Sequence, residues 1–213
     1  MKQNEVSRAT MGRIPVYLRY LREHTRPGGN ISATTLAQQL HLGEVQVRKD
    51  LNAISGAGRP RTGYDTRELI AALERFVGCG ERGGVVIVGA GKLGRALLDY
   101  RGFGDYGLEI LAAFDAAVED APRQSNSGKP IYPMRELSGF CARNAVRIGI
   151  ITVPAGAAQQ VAEQLVASGV RGIWCFAPCT LCVPDDIPVQ YENMALSLAY
   201  LSNRIRTGEA GQG

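Results

Sequence analysis

The run Val85-Val86-Ile87-Val88-Gly89-Ala90-Gly91-Lys92-Leu93-Gly94-Arg95-Ala96-Leu97-Leu98 constrains the fold more than any other stretch. Four β-branched residues form a buried strand. The pattern G-x-G-x-x-G follows at once, and a helical segment follows that. The bare pattern is common, but the strand–turn–helix context gives it meaning. Gly89 permits the tight turn, Gly91 lets a pyrophosphate approach the backbone, and Gly94 allows the helix to pack closely on the strand. The helix start offers unpaired N–H groups to phosphate, so Ala90, Lys92 and Leu93 belong to the same binding loop.

A second strand, Ile110-Leu111-Ala112-Ala113-Phe114-Asp115, places Asp115 at its C-terminal end, 21 residues after Gly94. A carboxylate there accepts hydrogen bonds from ribose hydroxyls and repels a 2′-phosphate. Ala116, Ala117 and Val118 follow, with no arginine to receive such a phosphate, so the expected ligand is NAD(H) rather than NADP(H). Ile148-Gly149-Ile150-Ile151-Thr152-Val153 and Ile173-Trp174-Cys175-Phe176 read as further strands, with Val161 and Leu165 on a helix between them. Alternating strands and helices imply a parallel sheet with helices on both faces, the Rossmann arrangement. Ligands of such sheets bind at the strand C-termini, so Thr152, Val153 and Pro154 are expected beside the cofactor.

The first 80 residues read differently. They carry twelve Lys/Arg against seven Asp/Glu, net +5, whereas 81–213 carry twelve against thirteen, net −1. The basic excess thus lies at one end, which suits a polyanionic partner. Ile14, Leu18 and Leu21 recur at helical spacing, and Pro15 suits a first helical turn. Ser32 is placed to cap a short helix over 34–40; His41-Leu42-Gly43 forms a turn, and 44–54 forms a second helix. This is the pattern of a helix-turn-helix. Val47, Leu51 and Ile54 share the core face of the second helix; Val45, Arg48, Lys49 and Asn52 point away from it. Two cations and an amide on an outward face suit phosphate and base edges, and equally an ordinary solvated surface. Gly56-Ala57-Gly58-Arg59-Pro60-Arg61-Thr62-Gly63-Tyr64 then reads as a wing, with Arg59 and Arg61 positioned for a minor groove. Leu69, Leu73 and Phe76 mark another helix.

The glycine-rich Gly78-Cys79-Gly80-Glu81-Arg82-Gly83-Gly84 separates the two patterns. The expected organisation is an α/β chain: a winged helix-turn-helix domain over 1–80, a Rossmann domain over 81–192, a helix over 193–206 and a disordered tail over 207–213. Met194, Leu198, Leu201 and Ile205 give that last helix an apolar stripe, which can pack on its own sheet or on a partner subunit. No run reaches the ~18 apolar residues of a membrane span, and the polar start over 1–10 lacks a signal core. Five cysteines in no evident framework point to a reducing, cytoplasmic setting.

The chain also resembles the Rex family of redox-sensing bacterial repressors along nearly its whole length. The resemblance rests on Val6-Ser7-Arg8-Ala9-Thr10, Arg13-Ile14-Pro15, Gln46-Val47-Arg48-Lys49-Asp50-Leu51, Gly63-Tyr64-Asp65, the glycine loop, Tyr100-Arg101-Gly102-Phe103, Ala113-Phe114-Asp115, Thr152-Val153-Pro154, Phe176-Ala177-Pro178 and Glu192-Asn193, in that order. It implies a homodimer with a domain-swapped C-terminal helix that binds a palindromic double-stranded operator and releases it when NADH binds. It adds Ser7, Thr10 and Gln46 to the DNA-facing set and Tyr100 to the cofactor set, and it gives Arg13 a part in the switch.

Three departures stand out. Ala195 occupies a position where the family usually carries an aspartate that partners the arginine and tyrosine, so the charge-based switch is expected to be altered. Ser55 and Arg61 stand where glycines are usual. Cys175-x3-Cys179-x2-Cys182 is atypical; the expectation is ordinary packing and no metal, with metal or thiol chemistry as the alternative. Besides the repressor, the sequence leaves two competitors. One is an NAD-dependent oxidoreductase, although His24 and His41 are the only histidines and no substrate domain follows. The other is a cysteine-based sensor on the same scaffold.

Overall fold

The computed structural model describes residues 7–25, 28–78 and 83–210. Most of the glycine-rich boundary, 79–82, and the start of the first matched motif, through Val6, lie outside the described residues. The chain divides into two compact units. One comprises 1–82 with 102–108; the other comprises 83–101 with 109–213.

In the first unit, α1 (Arg8–His24) starts at Ser7, whose hydroxyl accepts from the Thr10 N–H at 3.1 Å. Pro15 therefore sits inside the helix, not in its first turn as expected. The proline ring removes one intrahelical bond. The Ser7 cap and the fully buried Ile14, Tyr17 and Leu21 outweigh that loss. After β1 (Asn30–Ile31) comes α2 (Ala33–Gln39), capped as expected by Ser32, which accepts from the Thr35 N–H at 2.9 Å. The turn places His41 at φ 53° and leads into α3 (Glu44–Ser55). β2 (Tyr64–Asp65) pairs antiparallel with β1, and Asp65 caps α4 (Thr66–Phe76). Val47, Leu51, Leu69 and Leu73 join the α1 residues in one core; Ile54 only borders it. The two-residue β1 escaped sequence reading because no alternation can show in so short a strand.

The second unit is a seven-stranded sheet. Its strands are β3 (Gly83–Val88), β4 (Leu108–Asp115), β5 (Arg123–Gln124), β6 (Pro130–Pro133), β7 (Val146–Ile151), β8 (Gly172–Cys175) and β9 (Val189–Tyr191). Their spatial order is β5-β6-β4-β3-β7-β8-β9. The pairings β3–β7, β4–β6, β7–β8 and β8–β9 are parallel, and β5 is an antiparallel edge. Without β5, the order is 3-2-1-4-5-6, the doubly wound pattern. The helices are α5 (Lys92–Asp99), α6 (Leu137–Asn144), α7 (Ala155–Ala167) and α8 (Met194–Ala210). Chain order reverses between β3 and β7, which opens a crevice at their C-terminal ends. α8 continues to Ala210, past the expected end at Arg206.

Candidate nucleotide and nucleic-acid sites

At the crevice, the loop after β3 is tied to both neighbouring strands. The Gly89 N–H donates to the Phe114 carbonyl at 2.8 Å, and the Thr152 N–H donates to the Val88 carbonyl at 2.9 Å. The Thr152 hydroxyl also donates to the Gly89 carbonyl at 2.7 Å. The three glycines are separated by what a Cβ would meet. At Gly89, φ is +102° and Val153 and Thr152 crowd the position. At Gly94, a Cβ would lie 1.9 Å from the Gly89 carbonyl oxygen. At Gly91, it would meet nothing within 4 Å. The outer two glycines thus serve the protein's own packing, and the middle one faces open space.

Gly91 is also the N-cap of α5 and supplies no side-chain cap; Pro154 stands in the same position for α7. Two helix starts, one after each strand of the switch point, therefore present N–H groups that no cap side chain satisfies. Their partial positive charge suits a diphosphate. Lys92 and Pro154 are exposed here, and Leu93, Thr152 and Val153 are half-buried. Tyr100 ends α5 and is 59% exposed.

Asp115 ends β4 beside the glycine loop. Its Oδ2 accepts from the Ala90 N–H at 2.6 Å and its Oδ1 from the Ala117 N–H at 2.8 Å. Each oxygen keeps a lone pair for a ribose hydroxyl. The sequence did not show that Asp115 also shapes the glycine loop. Arg95 Nε donates to the Ala90 carbonyl at 2.8 Å and holds the same loop from the other side. The residues present thus fit a dinucleotide: an open cradle, uncapped helix starts and a fixed carboxylate.

The cysteines are spread over different environments. Cys175 is fully buried, Cys179 is partly buried against the sheet core and Cys182 is exposed. Burial pushes the Cys175 thiol above its ordinary range. Among the described residues, no three His, Cys, Asp or Glu side chains come together to hold a metal.

The helix-turn-helix presents α3 beside the wing. Arg59 and Gly63 exchange two backbone hydrogen bonds, 2.7 and 2.9 Å, which close a tight loop. Gly63 is obligatory there, since a Cβ would lie 2.3 Å from the Ile31 carbonyl oxygen. Arg61 adopts φ 65° at the tip and is exposed. A groove of about 390 Å³ runs between α3 and the wing, lined among others by Thr34, Arg48, Asn52, Arg59 and Arg61. Lys49 and Val45 are exposed on the outer face of α3. Arg48 pairs with Glu44 one turn earlier, and Arg59 lies 3.9 Å from Glu68.

Thr10 is placed otherwise than a surface contact, and Gln46 is exposed but bonded back to the same carboxylate, that of Asp50. Thr10 is buried, and its hydroxyl donates to Asp50 Oδ1 at 3.0 Å. The Gln46 Nε2 donates to the same oxygen at 3.0 Å. Arg13 grips both carboxylate oxygens, Nε to Oδ2 at 2.7 Å and Nη2 to Oδ1 at 2.9 Å. Tyr17 donates its hydroxyl to Oδ2 at 2.8 Å. Asp50, 1% exposed at its side chain, therefore joins α3 to α1 through Thr10, Arg13 and Tyr17, with Gln46 of α3 itself as a fourth partner. Sequence reading passed over it. The available signal was a carboxylate between Val47 and Leu51 on the buried side of an amphipathic helix.

Burial pushes the Asp50 carboxyl up, but hydrogen bonds from Arg13, Tyr17, Gln46 and Thr10 prevail and hold it below the usual carboxylate range. Tyr17 is raised by burial and by Asp50, and Arg13 is raised by its bond to Asp50. With the folded-state pKa depressed, the unfolded chain takes the proton first as pH falls. The stabilisation is complete above the ordinary carboxylate value of the unfolded chain and is lost as pH drops through the folded value. Asp50→Ala should cost about 3 kcal/mol, since it strands buried donors and an Arg13 that is only partly solvated. Far-UV circular dichroism melts from pH 3 to 7 should show this loss and a flatter acid limb. Trp174 fluorescence, from the single tryptophan and in the other unit, should melt unchanged. A variant with wild-type acid sensitivity would refute the assignment.

Two family models match the chain: a CoA binding domain over residues 81–179 and the N-terminus of putative DNA-binding proteins over 5–52. Relatives include redox-sensing transcriptional repressors Rex. That of Porphyromonas gingivalis is 36% identical over 95% of this chain and 93% of its own. That of Carboxydothermus hydrogenoformans is 38% identical over 97% and 99%. Among solved structures, the Rex-family repressor RSP in complex with β-NAD⁺ and operator DNA matches with a TM-score of 0.80 and 31% identity, covering 98% of this chain and 96% of that one. RSP in complex with β-NADH matches with 0.70 and 32% identity, covering 98% of each. At this identity over nearly the full length of both partners, the chain belongs to the Rex family of redox-sensing transcriptional repressors.

Proposed function

We propose that this chain is a homodimeric repressor that binds a two-fold operator through its winged helix and releases it when NADH occupies the Rossmann crevice. One observation carries the reading. A glycine loop with an open Gly91 position, set at an uncapped helix start, occurs on the same chain as a basic helix-turn-helix. The domains are 1–80 for DNA, 81–192 for nucleotide and 193–206 for dimerisation. The nucleotide set is Gly89, Ala90, Gly91, Lys92, Leu93, Gly94, Tyr100, Asp115, Thr152, Val153 and Pro154. The DNA set is Ser7, Gln46, Arg48, Lys49, Asn52, Arg59 and Arg61, with Thr10 acting through Asp50. The protein works in the cytoplasm, and no described helix is long and apolar enough to cross a membrane.

The coupling is thermodynamic. Nucleotide and operator favour different arrangements of the dimer, so each weakens the other by the same factor. Arg13 is held by Asp50 within its own unit, and Ala195 offers it no charge. The switch therefore proceeds without a carboxylate at position 195. The repressor reading gives the crevice a sensing role rather than turnover, and both histidines lie in the N-terminal unit. NADH incubated with the protein and small carbonyl compounds should stay reduced.

The test is operator capture. Full-length protein selects duplexes from a random library, and the enriched duplex is titrated with NADH and NAD⁺ separately. NADH should weaken binding by between 5- and 150-fold, roughly, and NAD⁺ by much less. Equal effects of the two nucleotides would overturn the sensing claim.

A further inference from the structure

We propose that Cys179 and Cys175 form a dithiol that a peroxide converts to a disulfide, with Cys179 as the attacking thiol and Cys175 as the resolving one. The proposal names a modification site and does not rest on the repressor reading.

The chain turns sharply after β8. Cys175 ends that strand, and the segment from there to β9 forms no helix. The Cys179 N–H donates to the Ala177 carbonyl at 2.8 Å, a closure over two residues that reverses the backbone. The Cys175 thiol donates to the same carbonyl, with sulfur and oxygen 3.7 Å apart. One oxygen thus draws in both residues, and the Cys179 side chain meets the Cys175 thiol. Both pack in the core on the sheet.

Cys182 shares a C-x-x-C spacing with Cys179 but is held elsewhere. Gln159 of α7 grips its backbone twice. The Gln159 Oε1 accepts from the Cys182 N–H and the Nε2 donates to the Cys182 carbonyl, each at 2.8 Å. Next to it, the Leu181 N–H donates to the Tyr191 hydroxyl at 2.8 Å. The backbone that would carry Cys182 back to Cys179 is therefore pinned to α7 and β9, and Cys182 is exposed.

The two paired thiols differ as the reaction requires. Cys175 is fully buried, and burial together with the neighbouring Cys179 holds it protonated. Cys179 is only partly buried, so a small oxidant reaches it first. The reactive form of a thiol is its thiolate. The Cys179 thiolate attacks one oxygen of hydrogen peroxide: an S–O bond forms, the O–O bond breaks, and hydroxide leaves. That hydroxide takes up the proton Cys179 lost on ionising. Cys179 is now a sulfenic acid, oxidised by two electrons. The Cys175 sulfur then attacks the Cys179 sulfur: the S–S bond forms, the S–O bond breaks, and the departing hydroxide leaves as water with the Cys175 proton. Two thiols become one disulfide, and one peroxide becomes two waters.

The test treats reduced full-length protein with hydrogen peroxide, alkylates the remaining thiols and maps the chain without reduction. Chymotrypsin cuts after Phe176 and Leu181, which puts Cys175, Cys179 and Cys182 on separate fragments. The Cys175 and Cys179 fragments should be joined, about 2 Da lighter than their sum as free thiols, and dithiothreitol should part them. Cys182 should be recovered alkylated. Cys182→Ser alters an exposed residue and should form the bridge at a rate within about twofold of wild type. Cys175→Ala should stop at the Cys179 sulfenic acid, which dimedone traps. A Cys179–Cys182 bridge overturns the proposal. So does recovery of Cys175 and Cys179 as free thiols while peroxide is consumed elsewhere or not at all. The wild-type map and Cys182→Ser decide the matter even where Cys175→Ala does not fold. Operator capture and its NADH response are measured on reduced protein, so the repressor reading stands or falls separately.

Discussion

Gly91→Val should give a folded protein that no longer binds NADH, while Gly94→Ala should fail to fold its second unit. The two positions belong to one motif, and only their surroundings separate them. A Cβ at Gly91 meets no atom of the protein within 4 Å, so valine is accommodated in the free chain. It then fills the space at the α5 start through which a diphosphate must approach the backbone. Loss of close backbone contact to two phosphates should lower nucleotide affinity by at least about a hundredfold, or roughly 3 kcal/mol. A Cβ at Gly94 would sit 1.9 Å from the Gly89 carbonyl oxygen and 2.9 Å from the Thr152 hydroxyl. Neither partner can retreat, because Thr152 donates to Gly89 and is itself tied to Val88. Isothermal titration with NADH and Trp174 fluorescence melts distinguish the cases. Wild-type NADH affinity in Gly91→Val would remove the diphosphate from the glycine loop.

Replacing Leu198 and Ile205 of α8 together by glutamate should convert the dimer to a monomer. Both are more than half exposed within one chain, as are Met194, Leu196, Tyr200 and Leu201. At 100° per residue, Met194, Leu198, Leu201 and Ile205 form one stripe, and Leu196 and Tyr200 lie on the opposite side. A helix apolar on two sides fits between two surfaces rather than on one. Burying such side chains contributes about 1.5–3 kcal/mol each, enough in sum to exceed an association cost of ~4–15 kcal/mol. The exposed positions carry no weight in the fold of the single chain, so melting should change little. Sedimentation should show monomer. Affinity for a two-half-site duplex should fall by ~10²-fold or more, with affinity for one half-site preserved. A variant that still sediments as a dimer would place the interface elsewhere.

The contrast between these experiments follows from what could be read in advance. The Rossmann unit was legible because its strands are buried on both faces and show as unbroken apolar runs, and because Gly94 to Asp115 has the spacing of one βαβ step. The short β5, β6 and β9 were not legible, since two to four residues carry no period. Pro15 was misplaced because a local rule puts proline at helix starts, whereas the Ser7 cap and a buried apolar face extended α1 past it. Gln46 of α3 was chosen by the resemblance, and Arg48, Lys49 and Asn52 by helical angle. That method finds which side a residue occupies but not what its polar atoms already hold.

The order of residues along the chain determined the sheet, the glycine loop, the helix-turn-helix and the family. Those features repeat at short range, where backbone geometry alone sets the spacing. Only the tertiary structure decided that Thr10, Arg13, Tyr17 and Gln46 converge on Asp50, that Asp115 shapes the loop it faces, and that α8 is left uncovered by its own chain. Such pairings join residues up to 40 positions apart. A buried charge takes whichever donors the packed helices bring to it, and no local pattern records which those are.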